Sequence, residues 1–255
     1  MLPSYQRLIN PKSVYFRLPF PWVALISLAL ALAGFFFGVA WSLAFDFERS
    51  TYTECQVDNY LPSISAAIGS YEPQRTVWQL AIFLHFPLRL VLAKAYLEHY
   101  LKKFRRSRRL LGILAYILNV VEVSALVCLS FWTSSADYPT HRNAFLLFIA
   151  CSESYMLISY LLFRSGPKAG LLPLEAKSLR YKRNLFSVNV VCFGLAGYCF
   201  VRHNSYCEAG VYTFFALFEY IVVLTNMGFH TISSWDFHDL RVVCDHQRGL
   251  YLTQF

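Results

Sequence analysis

Charged side chains are scarce in this chain. Asp, Glu, Lys and Arg make up 15% of its 255 residues, where a soluble domain carries about 25%. With 56% of residues apolar and 18% aromatic, that shortage excludes an ordinary water-soluble domain. Other absences narrow the reading further. There is no Asn-x-Ser/Thr glycosylation acceptor, so topology gets no independent marker there. No CxxC pair occurs and the histidines are scattered, which speaks against a zinc site. No GxSxG elbow surrounds any serine, Ser63 and Ser65 included, so an α/β-hydrolase nucleophile is not indicated. No internal repeat suggests an inverted-repeat transporter. No cleavable signal is legible either: the first apolar run is too long for a signal-peptide core and reads as a signal anchor.

What is present is a series of long apolar runs. Six are long enough to cross a hydrocarbon core of roughly 30 Å, at residues 22–45, 77–97, 110–133, 143–163, 184–201 and 211–232. The sequence therefore predicts an all-α polytopic membrane protein, six transmembrane helices in one bundle. Residues 1–21 form a short basic N-terminus, 46–76 a polar loop and 233–255 a mixed, partly ordered tail. The loop KKFRRSRR at 102–109 packs six basic residues into eight positions, and 164–183 holds six more. On the side of the termini lie seventeen Lys and Arg, on the other side four. The positive-inside rule then places both termini in the cytosol and the 46–76 loop in a lumen. Net charge is +8, but its distribution over short loops points to a membrane and not to nucleic acid.

Ionisable residues inside spans are expensive, about 2.5–3.5 kcal/mol on cautious scales, and mark structure or function. Arg89, Glu122, Glu153 and Glu219 fall near the middle of four different spans. Asn119 and His85 widen the same polar faces, and Pro87 predicts a kink. In the last span Glu208, Tyr212, Phe215, Glu219, Val222, Asn226 and His230 recur at steps of three and four, so they share one helix face. That face must look inward. Two readings stay open: an ion-pair network in which Arg89 bridges Glu122 and Glu219, or a polar cavity that holds a lipid head group or moves protons.

Of seven cysteines, Cys128, Cys151, Cys192, Cys199 and Cys244 fall in spans, at a span edge or in the tail. Cys55 and Cys207 lie in the predicted lumenal loops and are the natural disulfide of a secretory-pathway protein. Near the same edge sit Arg202, His203, Asn204, Tyr206 and Glu208. A histidine beside an acid is what activation of an alcohol needs, so His203 is the expected general base with Glu208 orienting it. His230 and His85 are the alternatives. Arg202 and Arg75 have the planar donors that hold a phosphodiester, with Asn204 beside them. Arg89, Glu122, Glu219, Asn226 and His85 are expected to line a lipid-binding interior. The opposing reading makes the residues around 202–208 caps that hold the last two spans together. His230 and Asp236, near Trp235, suggest a weaker second site at the other edge.

Three blocks carry a family resemblance. CQVDNYLPSISAAIG (55–69) with PQRTVW (73–78), LNVVE (118–122), and RHNSYCEAGVYTFFALFEYIVVLTNMGFHTISSWDF (202–237) resemble the post-GPI-attachment-to-proteins factor 2 family. The likeness covers most of residues 22–237. It implies a membrane protein of the Golgi, with the endoplasmic reticulum as the alternative location, that reacylates a lyso-GPI intermediate at sn-2 with a saturated chain. The implied partners are lyso-GPI or a GPI-anchored protein and membrane lipids. The implied co-substrate is an acyl donor, with no cofactor in the protein. A non-catalytic carrier presenting lyso-GPI to another enzyme, or a proton-coupled transporter, would use the same interior differently.

Overall fold

The computed structural model describes residues 14–166, 172–247 and 249–254. Its elements, in order, are β1 (Val14–Pro19), α1 (Phe20–Phe45), α2 (Phe47–Thr51), α3 (Ile64–Gly69), α4 (Gln74–Lys103), α5 (Arg106–Phe131), α6 (Tyr138–Arg164), α7 (Pro173–Tyr206), α8 (Val211–Thr231), α9 (Ser233–Asp236), β2 (Leu240–Asp245) and β3 (Gly249–Gln254). Among the described residues six helices, α1, α4, α5, α6, α7 and α8, are long and apolar enough to cross a membrane. The chain is a multi-pass membrane protein. Outward-facing Leu80, Phe83, Leu84, Val191 and Val201 are each more than half exposed, as side chains solvated by lipid tails should be.

Helices run longer than the apolar windows because hydropathy reads the bilayer crossing and not the helix. The basic segment at 102–109 is mostly helical: Lys102 and Lys103 end α4, and Arg106 opens α5. Much of the expected 164–183 loop is likewise the first turns of α7, begun by Pro173, whose missing N–H is no loss at that position. α4 is continuous across Pro87. Residues 1–13 and 167–171, which hold parts of the expected basic terminus and loop, lie outside the described residues.

Neighbouring helices pair along their lengths: α7 with α8, α5 with α6, and α4 with both α1 and α5. Small residues set how near α1 comes. A Cβ at Gly38 would run into Ile68 of α3, and one at Gly34 would lie 2.9 Å from the Ala81 Cβ of α4. This Gly-xxx-Gly spacing lets backbones approach where no hydrophobic force drives helices together.

The two ends of the bundle differ. At one end the tail, expected to be partly ordered, forms a sheet of order β1-β2-β3, antiparallel throughout, with Arg17 opposite Val243 and Val243 opposite Tyr251. This pairing of segments from the two ends of the chain satisfies backbone groups in a way that hydropathy cannot predict. Phe237 and Val242 pack there with Phe20, Tyr96, Tyr100 and Phe104. At the other end Cys55 and Cys207 are joined by a disulfide, and the polar 46–76 loop folds down over the helices. Gly210 N–H donates to Asp58 O at 2.9 Å, and the Tyr220 hydroxyl donates to Pro62 O at 2.6 Å. Ser42 Oγ donates to Ala67 O at 2.7 Å, tying α3 to α1.

Candidate functional site

Six buried polar side chains from four helices meet in the middle of the bundle. Arg89 (α4), 3% exposed, has its Nη2 3.4 Å from the Oε1 of fully buried Glu122 (α5), and the same nitrogen donates to Asn119 Oδ1 at 3.0 Å. Asn226 (α8) donates to Glu122 Oε1 at 2.9 Å and to Ser152 Oγ at 2.6 Å. His230 Nε2 lies 2.8 Å from Arg89 Nη2 and 3.0 Å from Glu122 Oε1. Arg89 can only donate and a carboxylate only accept, so Nε2 satisfies one neighbour at a time. Its ring stacks on Tyr155, 4° from parallel with centroids 5.2 Å apart. With its partners so committed, His230 is a member of the ion-pair network and not a free base.

Glu219 does not belong to that network. Its Oε2 accepts from the backbone N–H of Ile64 at 2.8 Å, the first residue of α3, a group that a helix leaves without an internal partner. Arg89 therefore bridges Glu122 and the His230–Asn226 face, and not two carboxylates. Glu219 shares the inward face of α8 with Asn226 but stands two turns, ~10 Å, nearer the disulfide end, where it meets α3 and not Arg89. Glu153 also stands apart: neither oxygen has a partner.

Between Glu219 and the Arg89 cluster lies a cavity of about 60 Å³, room for several waters at ~10–15 Å³ each. Its walls are apolar, with Ile68, Ile82, Leu126, Phe145 and Phe148 prominent. Arg89, His85 and Asn226 face one end of it and Ser65, Thr133 and His141 the other. His85 Nδ1 sits 2.8 Å from Ser27 O, which fixes that nitrogen as the donor and leaves the other edge of the ring toward the interior.

Ser65 and His141 form a pair that the chain's linear pattern hid. Ser65 Oγ lies 2.9 Å from His141 Nε2, while His141 Nδ1 faces two backbone carbonyls, Trp132 O at 2.8 Å and Leu129 O at 3.1 Å. Two carbonyl acceptors require the proton on Nδ1, so Nε2 is bare and the Ser65 hydroxyl donates to it. Both residues are placed by helix starts. Ser63 caps α3, its Oγ accepting from Ala66 N–H at 3.2 Å, which puts Ser65 in the first turn. Asp137 caps α6, accepting from the Thr140 hydroxyl at 2.6 Å and the Thr140 N–H at 3.2 Å. Those bonds hold its carboxyl below the ordinary range.

The residues expected to act at the disulfide end are not assembled as a catalytic pair. His203 is in α7, buried against Tyr212 (centroids 5.0 Å), and neither ring nitrogen has a partner. Glu208 is taken by Arg202 in a two-pronged bond, 2.7 and 2.8 Å, because the αL turn at Cys207 swings the carboxylate onto the guanidinium. That bond keeps the Glu208 carboxyl below its ordinary range. Asn204 is exposed, and Arg75 pairs with Glu72 at 3.4 Å, so Arg75 and Arg202 each have a partner of their own. The suggested His230–Asp236 edge site is also divided. Asp236 is bound by buried Lys182, by Ser178 and by the Tyr96 hydroxyl at 2.6 Å. Lys182, one of the basic residues of the predicted 164–183 loop, is thus inside the protein.

No His/Cys/Asp/Glu group among the described residues is arranged to hold a metal. The interior offers instead an apolar-walled pocket with an ion-paired, hydrogen-bonding end and a serine–histidine pair.

A six-helix membrane bundle with this buried polar interior is matched over residues 19–240 by the family described as Frag1/DRAM/Sfk1/Cwh43P N-terminal domain. The chain is 73% identical over 254 residues to Post-GPI attachment to proteins factor 2 of Drosophila melanogaster, covering 100% of both. It is 41% identical over 224 residues to Acyltransferase PGAP2 of Xenopus tropicalis, covering 87% of the chain and 89% of the relative. A Caenorhabditis elegans Post-GPI attachment to proteins factor 2 is 38% identical over 238 residues, 91% of the chain and 90% of the relative. The chain belongs to the post-GPI attachment to proteins factor 2 family. No solved structure matches it.

Proposed function

We propose that this protein remodels the lipid of GPI anchors by transferring a fatty acyl chain to a lyso-GPI intermediate, at sn-2 and with a saturated chain. The carrying observation is the cavity, whose apolar walls can take the first few carbons next to an acyl carbonyl while Arg89, His85 and Asn226 supply polar contacts. The naming of a relative as an acyltransferase supports the reaction class. The acyl donor is a co-substrate, and lyso-GPI or a GPI-anchored protein is the acceptor. The test is reconstitution: purified protein in lipid nanodiscs, lyso-GPI and a deuterated acyl donor, read by mass spectrometry. Labelled diacyl-GPI is expected. Lyso-GPI bound without acylation would replace the enzyme by a carrier, and proton-coupled export of the lipid would replace it by a transporter.

We also infer a Golgi location with both termini cytosolic. Setting aside buried Lys182, the asymmetry of basic residues persists, and it supports that orientation. Tags at either end should be digested when protease enters cells whose Golgi remains sealed. Protection of either tag contradicts the orientation.

A further inference from the structure

We infer that Ser65 and His141 are the covalent centre of the reaction: Ser65 takes the acyl chain from the donor and passes it to the acceptor hydroxyl. This rests on the acyl-transfer reading above and goes beyond it by naming the residue that carries the chain. A nucleophile needs a base within about 2.6–3.2 Å and a third group that orients the base. Ser65 Oγ at 2.9 Å from His141 Nε2, and the Trp132 carbonyl at 2.8 Å from Nδ1, meet both conditions. The pair faces the cavity, so an acyl group whose first carbons enter it presents its carbonyl to Ser65. A serine–histidine contact that served only as a staple between α3 and α6 would have no need to open onto the cavity.

The chemistry balances without a cofactor. Ser65 Oγ attacks the carbonyl carbon of an activated acyl group, a thioester or a phospholipid ester. The Ser65 hydroxyl proton moves to His141 Nε2 as the Oγ–C bond forms. The C–S or C–O bond to the leaving group then breaks, and the leaving atom takes that proton. In the second half the acceptor hydroxyl gives its proton to Nε2 and attacks the acyl-serine. The C–Oγ bond breaks and the proton returns to Ser65 Oγ. The backbone carbonyls hold the imidazole in the tautomer that both halves require. His141 is not itself consumed or oxidised.

The experiment uses the full-length protein in nanodiscs with either deuterated palmitoyl-coenzyme A or phosphatidylcholine carrying a deuterated acyl chain. Without acceptor, the peptide containing Ser65 should gain the labelled acyl mass from one donor class, which names the donor. Adding lyso-GPI should discharge it. Ser65→Ala should lose both label and transfer. His141→Gln should slow transfer by about 10²–10⁴-fold, the usual loss of a general base. Ser65→Cys should accumulate an acyl thioester that neutral hydroxylamine cleaves, a signature no structural role would give and one that survives if the alanine variant misfolds. Wild-type transfer with Ser65→Ala retaining its rate would overturn the covalent assignment and leave the acyltransferase reading standing. Wild-type protein that neither labels nor transfers with either donor would overturn both.

Discussion

Glu219 reaches across the interior to the backbone of Ile64, its Oε2 2.8 Å from that N–H, and so a carboxylate of the last span fixes the short helix of the first loop. One residue on, Ser65 meets His141. A carboxyl group of the membrane interior is thereby used to aim a hydroxyl contributed by another part of the chain. Substitution of Glu219 by Gln keeps an acceptor oxygen and should leave folding nearly intact. Glu219→Ala removes it and should cost about 1.5–3 kcal/mol, the usual worth of a hydrogen bond to a charged group. Melting temperatures of the two variants test this, and equal values would show that α3 is held by other contacts.

Removing one member of the buried Arg89–Glu122 pair should be strongly destabilising. Breaking one partner of a buried pair leaves an uncompensated charge, costing about 3–5 kcal/mol in soluble proteins. Arg89→Ala should therefore melt well below wild type, and so should Glu122→Gln, which leaves the buried Arg89 guanidinium without its counter-charge even though Asn226 and His230 can still bond the amide. Because the two side chains share one network, the double variant should cost less than the two single losses added. Simple additivity would show that they act separately.

Cys55 and Cys207 close a loop of sequence separation 152, and the chain-entropy account gives about 5 kcal/mol for that length. Membrane-spanning helices restrict the unfolded chain already, so Cys207→Ser should lower stability by less than this. It should also free the 46–63 segment, seen as faster hydrogen exchange there than in α5. Unchanged exchange would mean that the bonds from Gly210 and Tyr220 hold the loop alone.

The Arg202–Glu208 bond depends on a carboxylate whose pKa is lowered by the guanidinium hydrogen bond. A lowered folded-state value means the contribution is present above the ordinary 4.5 and is lost as pH falls through the lower folded value. The melting difference between wild type and Glu208→Gln should then be constant from pH 7 to about 5 and shrink below it. A difference that grows on acidification would contradict the pairing.

Much of the fold was legible because membrane insertion imposes long apolar runs and satisfies every backbone bond within a helix. The inward face of α8 was equally legible, since Glu219, Asn226 and His230 repeat at helical spacing, and Asn226 and His230 do meet Arg89 and Glu122. The shared face hid how far apart they stand along α8: Glu219 is two turns, ~10 Å, from Asn226, and so meets α3 where Asn226 meets Glu122. His203 and Glu208 are five residues apart and look like a pair, but the turn at Cys207 decides otherwise. Ser65 and His141 are 76 residues apart, in a polar loop and a helix start that carry no periodicity. The only local signals were two caps, Ser63 and Asp137. The terminal sheet was hidden for a similar reason, its strands joining opposite ends of the chain.

The central claim is that acyl transfer takes place in the cavity between α3 and Arg89. Val223 lines that cavity on α8, and Val223→Trp would place an indole in the space meant for the chain. The decisive measurement is the rate of labelled acyl transfer to lyso-GPI by this variant, beside its melting temperature. The account predicts a stability lowered by no more than the ~1–3 kcal/mol of an overpacked interior and, in the folded protein, a rate lower by about 10²-fold, the scale of loss when reacting groups are misplaced by ~1 Å. Wild-type transfer by a protein whose cavity is filled would contradict it.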